Sequence, residues 1–143
     1  MWGTYGDLAR RYPKISLEVE RELIAKAKRG SRKCRDEIVL RHIGFIIFRL
    51  QRKLLPPYLR RHGPEMLSAA LPTLYGKVKS YDLDYRDPEG RLKPVKFASY
   101  VWKHVDGFII MSIKKELEME RMSAGLYSEA GNDDLDAAGL RLR

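Results

Sequence analysis

The sequence has little of what a secreted, membrane-spanning or disulfide-bonded protein needs. It contains one cysteine, Cys34, so no disulfide can form within the chain, which suits a reducing compartment. Its longest apolar stretches, such as residues 43–48, are far too short to cross a bilayer. Met1 is not followed by the basic and apolar segments of a secretory signal. We therefore expect a cytoplasmic protein that does not enter a membrane.

The familiar sequence signatures of enzymes are also missing. The histidines His42, His62 and His104 lie far apart, and none has metal-ligand spacing with Cys34 or a carboxylate. There is no glycine-rich phosphate loop and no nucleophile elbow. We expect no enzymatic activity, no metal and no cofactor, and we interpret Cys34 as a small buried apolar residue.

Positive charge is the main compositional feature. The net charge is +9, from 28 basic and 19 acidic residues. Residues 116–143 hold seven acids and three bases, a net −4, which leaves 25 bases and 12 acids, a net +13, for residues 1–115. A basic body of this kind attracts polyanions such as nucleic acids. The alternative is that these residues only keep a helical protein soluble.

Helical spacing of apolar residues predicts an all-α, compact bundle of about four helices over residues 16–120. Residues 1–15 are predicted to form an N-terminal arm or partial helix, and residues 121–143 a flexible acidic tail. Ser16 is the predicted N-cap of the first helix, and Gly30 is its predicted stop.

The remaining helix boundaries follow from turn-forming and helix-breaking residues. Ser31 is predicted to cap a central helix that runs to Leu54 and cannot pass Pro56 and Pro57. After a basic connector at residues 58–62, a third helix is predicted to begin at Gly63 and Pro64. Pro72 should kink or divide that helix. Residues 82–94, rich in Asp, Pro and Gly, predict a surface loop, and the last helix is predicted at residues 95–119.

The last helix interleaves aromatic and cationic residues: residues 93–115 read KPVKFASYVWKHVDGFIIMSIKK. At about 100° per residue, Tyr100, Lys103, His104 and Gly107 share one face, whereas Phe97 belongs to the core face. An aromatic ring beside cations suits single-stranded nucleic acid, because the ring stacks on an exposed base while the cations contact phosphates. The alternative is that Tyr100 and its aromatic neighbours are ordinary half-buried helix residues.

Three blocks, in order, resemble the second conserved region of sigma-70-type bacterial transcription initiation factors. Residues 97–109, FASYVWKHVDGFI, are similar to the family's aromatic-small-small-Tyr-Ala run. Residues 65–82, EMLSAALPTLYGKVKSYD, are similar to its acidic, Leu- and Ile-rich helix. Residues 23–47, LIAKAKRGSRKCRDEIVLRHIGFII, resemble its first helix pair. The resemblance covers roughly residues 16–117.

The resemblance implies two binding surfaces and a role in transcription initiation. The third helix would bind the β′ clamp helices of core RNA polymerase, through Glu65, Met66, Ser68, Ala69, Leu71 and Tyr75. The last helix would bind flipped bases of the single-stranded −10 promoter element. Tyr100 would be the base-stacking residue, and its neighbours at the DNA would be Lys96, Trp102, Lys103, His104, Gly107 and Lys114.

The sequence also departs from the family's pattern. Asp106 stands where an arginine is common, Pro72 interrupts the docking helix, and Ala69 and Leu71 replace polar docking residues. Residues 82–94 are longer than the usual connector, and nothing after Met119 resembles the domain that reads the −35 element.

These departures leave alternatives open. One alternative is a sigma-like adaptor or decoy that binds polymerase or an anti-sigma-type partner without reading DNA. Another is one half of a split sigma factor. A further alternative is a generic basic helical nucleic-acid binder, which would bind DNA without contacting polymerase.

Overall fold

The computed structural model describes residues 1–124 of the chain, and these residues form six α-helices. The described part contains no strand, only one isolated antiparallel bridge between Arg86 and Leu92. The all-α prediction is confirmed, with six helices in place of about four. Their bounds are α1 Thr4–Arg11, α2 Leu17–Lys28, α3 Arg32–Leu40, α4 Ile43–Lys53, α5 Pro56–Ser80 and α6 Phe97–Ser123.

The first two predicted caps are confirmed. The Ser16 hydroxyl accepts a hydrogen bond from the backbone N–H of Val19, and the Ser31 hydroxyl accepts one from that of Cys34. Between α2 and α3, Gly30 has a φ of 109°, a left-handed conformation that glycine adopts without a Cβ penalty. Local sequence chemistry therefore sets the start of both helices and the turn between them.

The predicted central helix is wrong as a single element, because the chain breaks at Arg41 and His42 into α3 and α4. No proline or glycine marks the break. The His42 ring turns back instead, and its Nδ1 donates to the carbonyl oxygen of Ile38 at 2.7 Å. Cys34, near the start of α3, is half-buried rather than fully buried.

The third helix begins earlier than predicted. Residues 58–62 are not a connector, because α5 is continuous from Pro56, where a proline suits the first helical turn. Pro64 and Pro72 lie inside α5, and the helix is not divided at Pro72. Pro72 has no N–H to donate to the Ser68 carbonyl oxygen, and both residues are exposed.

The core lies between α2, α3, α4, α5 and α6. Its fully buried side chains include Ile24, Ile46, Leu67, Leu74 and Ile113. The first fifteen residues are packed against this bundle: α1 lies on α4, and the Trp2 ring lies against Gly63 of α5. No helix in residues 1–124 is both long enough and apolar enough to span a bilayer. The predicted acidic tail lies almost wholly outside the described residues.

The segment between α5 and α6 is the predicted surface loop, and it folds back on itself. The Asp87 amide donates to the Arg91 carbonyl oxygen at 2.9 Å, and the Lys93 amide to that of Tyr85 at 2.9 Å. Tyr81 lies at the start of this hairpin, and its hydroxyl donates to the carbonyl oxygen of Val95 at the other end. The two ends of the loop are therefore joined, and α6 begins at Phe97 from a fixed position.

Candidate nucleic-acid interface

The N-terminal half of α6 and the C-terminal half of α5 together form a positively charged surface. We call it the basic face and define it by Tyr100, Lys103 and His104 of α6 and Lys77 and Ser80 of α5. The side chains of Lys103 and His104 are exposed, and Tyr100 is half-buried. Phe97 is fully buried, as predicted from the helical spacing. Of the other predicted residues, Lys96 and Lys114 are exposed along α6, and Gly107 is half-buried.

Tyr100 is held rigidly but is not enclosed. Its hydroxyl is 2.8 Å from the Ser80 hydroxyl and donates to the Ser80 carbonyl oxygen at 3.3 Å. Its ring meets the Tyr81 ring edge-on, with centroids 5.5 Å apart. The ammonium group of Lys77 lies 5.3 Å from the ring centroid. The ring is thus held at its edge and at its hydroxyl, and the Lys77 ammonium group covers one of its faces.

Lys77 also fixes His104. The Lys77 ammonium group donates to Nε2 of His104 at 3.0 Å. An ammonium group can only donate, so Nε2 must accept and the neutral ring carries its proton on Nδ1. The basic face therefore presents the Lys77 ammonium group and an imidazole N–H beside the Tyr100 ring, with Lys103 exposed next to them along α6.

Trp102 lies on a different side of α6 from Tyr100, because two residues correspond to about 200° around a helix. It is 39% exposed, and the guanidinium group of Arg49 lies 5.5 Å from its ring centroid. Trp102 and Arg49 line a shallow groove of about 310 Å³ together with Phe45, Ala98 and Ser99. Trp102 is thus turned away from Tyr100, but the Lys103 ammonium group lies 5.7 Å from its ring centroid, so Trp102 stays beside one other predicted DNA-contacting residue.

Asp106 points into the bundle and not toward the surface. It is buried, and it forms a two-pronged ion pair with Arg49 of α4, in which Arg49 Nε lies 2.8 Å from Asp106 Oδ1. Lys53 Nζ lies 3.9 Å from the same carboxylate. The hydrogen bonds that Arg49 donates to Asp106 raise the pKa of Arg49 above its usual value, against the opposing effect of burial. An inward acid paired in this way adds no repulsion to the basic face.

A deeper cavity of about 300 Å³ opens at the N-terminal end of α6. Aromatic side chains of Tyr12, Phe45 and Phe48 line it, and its cations include Lys96 and Arg41. Lys96 lies one helical turn before Tyr100, so the cavity and the basic face are neighbours along α6.

Two polar side chains line the cavity and hold the start of α6. The carboxylate of Glu20 accepts the backbone N–H of Phe97 at 3.0 Å, and its other oxygen lies 3.2 Å from Nε2 of His42. The N-cap residue of α6, Lys96, makes no side-chain cap, so Glu20 supplies the cap from α2. Glu20 therefore joins α2, the break between α3 and α4, and the start of α6.

The predicted polymerase-contacting residues of α5 do not share one surface. Glu65, Ser68 and Ala69 are exposed, and the Tyr5 hydroxyl is hydrogen-bonded to that of Ser68. Met66 is only 5% exposed and belongs to the core, so its assignment to a docking contact is wrong. The helix period turns Met66 inward, about 100° from Glu65.

Leu71 and Tyr75 lie half-buried on the flank of α5. The guanidinium group of Arg35, in α3, lies 5.1 Å from the Tyr75 ring centroid. Burial, followed by the nearby carboxylate of Asp36, raises the pKa of Tyr75 above its usual value.

Sequence reasoning missed the α4 and α5 side chains at these sites. Lys77 and Ser80 were within a segment interpreted only as a docking helix, and Arg49 was not singled out. The alternating KVK of residues 77–79 was the available signal, since cations near the end of a helix are candidates for phosphate contact. In residues 1–124 no cluster of three or more His, Cys, Asp or Glu side chains is arranged to hold a metal.

Comparisons with protein-family models, with curated proteins and with solved structures find no match to this chain.

Proposed function

We propose that the protein is a sigma-like transcription initiation protein that binds single-stranded promoter DNA at the basic face and core RNA polymerase through the exposed side of α5. The observation that carries this proposal is the setting of Tyr100. A partly exposed ring that is held by Ser80 and covered by the Lys77 ammonium group suits an unstacked base and its phosphate.

The contacts of Lys77 define how the base would bind. In the free protein its ammonium group covers the Tyr100 ring and contacts His104. An arriving base would take the place over the ring, and the lysine would turn to a phosphate. This exchange replaces the two contacts of the Lys77 ammonium group with a stacked base and a phosphate contact, and the released counterions add to the affinity at low salt.

The neighbouring cavity gives the same strand a second place to bind. Its aromatic walls, Phe45 and Phe48, and the cation Lys96 repeat the combination found around Tyr100. A strand that stacks on Tyr100 would pass Lys96 within one helical turn. We expect the cavity to take an adjacent flipped base.

Two features that count against DNA binding in the sequence have less weight in the structure. Asp106, expected to repel phosphate if it faced the strand, is buried against Arg49. Pro72 does not divide α5, so the helix that would dock on polymerase is continuous.

The decisive experiment measures binding of a labelled 12-nucleotide single strand by fluorescence anisotropy at low salt. Tyr100→Ala should weaken binding about tenfold or more, because the stacking platform is lost. Tyr100→Phe keeps the ring and loses only the bonds to Ser80, so it should stay within about threefold of the natural protein. The affinity should fall steeply with added salt, and the matching duplex should bind more weakly.

Tyr85→Ala is the matched control. Tyr85 is also a well-exposed tyrosine, but it lies in the hairpin away from the basic face, so its loss should leave binding unchanged. Equal affinity of Tyr100→Ala and the natural protein would refute the stacking role. If the natural protein bound the single strand but did not bind core RNA polymerase, a generic nucleic-acid binder would be favoured instead.

A further inference from the structure

The C-terminal half of α6 exposes an unusual amount of apolar surface. Met111 is 72% exposed, Met122 is 57% exposed and Met119 is 53% exposed, while Ile113 and Leu117 of the same segment are buried. Exposed methionines grouped on one helix are uncommon on a free surface, and flexible thioether side chains are well suited to contacts with another protein.

Four of the exposed residues form a regular line, which we call the methionine stripe: Met111, Lys115, Glu118 and Met122. Their spacings of four, three and four residues are those of the inward positions of a coiled coil. At about 100° per residue they fall within a sector of about 60°, opposite the buried Ile113 and Leu117. The stripe is therefore the solvent-facing ridge of this part of the helix.

The methionine stripe is complementary to itself. If a second copy of α6 is laid against it in the opposite direction, Met111 faces Met122 of the second copy and Lys115 faces Glu118. The two-fold axis repeats each contact, so both ends of the contact are apolar and both central pairs have opposite charges. We propose that two copies of this protein associate through antiparallel packing of their methionine stripes.

Charge selects this arrangement over its alternatives. In a parallel pair Lys115 would face Lys115 and Glu118 would face Glu118, and both contacts would be repulsive. Within residues 1–124 neither Lys115 nor Glu118 takes part in an ion pair, so both are available to a second copy. Polar residues at the centre of such a contact fix its register and lower its stability.

The expected dimer is weak. A single helical ridge of twelve residues buries less surface area than stable complexes do. Association should therefore depend strongly on protein concentration. The methionine stripe begins one turn beyond Gly107 and shares no residue with the basic face. The proposal therefore does not depend on the proposed function.

Sedimentation velocity on the full 143-residue chain, from about 10 μM to about 1 mM, tests the association. Lys115→Glu and Glu118→Lys should each raise the dimer dissociation constant about tenfold, because each change creates two like-charge pairs across the axis. The double exchange Lys115→Glu with Glu118→Lys restores both attractions and should return the constant to within about threefold. Lys33→Glu, an equal charge change on exposed α3, is the control and should have no effect.

Oxidative crosslinking tests the direction of packing in a Cys34→Ser background. Met111 of one copy and Met111 of the other would lie about 16 Å apart, too far for a disulfide, whereas Met111 and Met122 would be adjacent. Chains carrying Met111→Cys mixed with chains carrying Met122→Cys should crosslink, and neither should do so alone. A chain that stays monomeric at about 1 mM, a double exchange that fails to restore association, or rapid crosslinking of Met111→Cys alone would overturn the proposal.

Discussion

The effect of the Asp106 carboxylate on the protein depends on whether its side chain points outward or inward. On the surface it would repel a phosphate backbone, but in the bundle it neutralises Arg49 and ties α6 to α4. Arg49 in turn lies under the Trp102 ring, so the carboxylate also orients an exposed aromatic residue. The buried Asp106 carboxylate therefore holds α6 against α4 and positions Arg49 under the exposed Trp102 ring, although it does not reach the surface itself.

Removing the Asp106 charge should destabilise the protein and leave strand binding intact. Asp106→Asn strands the guanidinium group of Arg49 in a site that is mostly closed to water, so we expect a loss of about 2–4 kcal/mol in urea unfolding. Asp84→Asn, at an exposed loop position, is the control and should change stability little. If the folded Asp106→Asn protein bound single-stranded DNA much more tightly than the natural protein, the inward orientation would be contradicted.

Tyr75 should make stability sensitive to alkaline pH. Its pKa in the folded protein is raised, first by burial and then by Asp36, whereas the unfolded chain titrates near 10. Above that pH the unfolded state loses a proton that the folded state retains, so the contribution of Tyr75 to stability is present below pH 10 and is lost as pH rises. Tyr75→Phe should flatten the stability profile above pH 10, as measured by urea unfolding at a series of pH values. An unchanged profile would contradict the raised pKa.

At the scale of elements, the start of α6 depends on a distant helix. Glu20 of α2 accepts the first amide of α6 and pairs with His42 at the α3–α4 break. This one carboxylate therefore sets where the last helix begins and how three elements meet. The position of Tyr100, one turn later, follows from it.

Glu20→Ala should loosen the first turn of α6 more than the rest of the protein. It removes the cap and leaves His42 without its carboxylate, which should cost about 2–3 kcal/mol. Hydrogen exchange should show faster exchange at the amides of Phe97 and its immediate neighbours. Glu18→Ala, an exposed acid on the same helix, should cause neither change. Unchanged protection at Phe97 would show that the cap is dispensable.

Local sequence chemistry predicted some element boundaries and not others. The caps at Ser16 and Ser31 depend on residues within one turn, and both were predicted correctly. The break at His42 is not marked by a proline or glycine, and the buried ring there contacts Glu20, twenty-two residues away. The start of α5 was misplaced because Pro56 ends one helix pattern and begins another at once.

The candidate site was predictable only on its own helix. Helical spacing predicts Tyr100, Lys103 and His104 on one face. Tyr100 and His104 do lie together beside Lys77, whereas the Lys103 ammonium group lies 5.7 Å from the Trp102 ring centroid. The residues that complete the face, Lys77 and Ser80, come from α5, and no spacing rule joins positions twenty or more residues apart. The inward turn of Asp106 was hidden for the same reason, since its partner Arg49 lies on α4.

At the scale of the whole molecule, α5 separates the two proposed binding surfaces. Lys77 on one flank belongs to the basic face, while Tyr75, about 200° around the helix, lies against α3. The exposed ridge between these flanks carries Glu65 and Ala69. Two partners could therefore occupy the protein at once without competing for the same residues.

Ala69→Arg should separate the two activities. A long charged side chain on the exposed ridge of α5 should reduce binding to immobilised core polymerase at least about tenfold, with unchanged binding to single-stranded DNA. Gln51→Arg, on an exposed position of α4, should leave both intact. Polymerase retained equally by Ala69→Arg would contradict docking at this ridge. Retention by the natural protein with no opening of a promoter would favour the adaptor hypothesis.

The hairpin between α5 and α6 can vary without moving its surroundings. Tyr81 joins the two ends of this segment, and Arg21 of α2 donates to both the Tyr81 hydroxyl and the Leu83 carbonyl oxygen, at 3.3 and 2.7 Å. These hydrogen bonds hold the two ends of the hairpin together whatever the length of the chain between them. A dye attached or a short peptide inserted at the tip near Glu89 should therefore leave the position of Tyr100 unchanged.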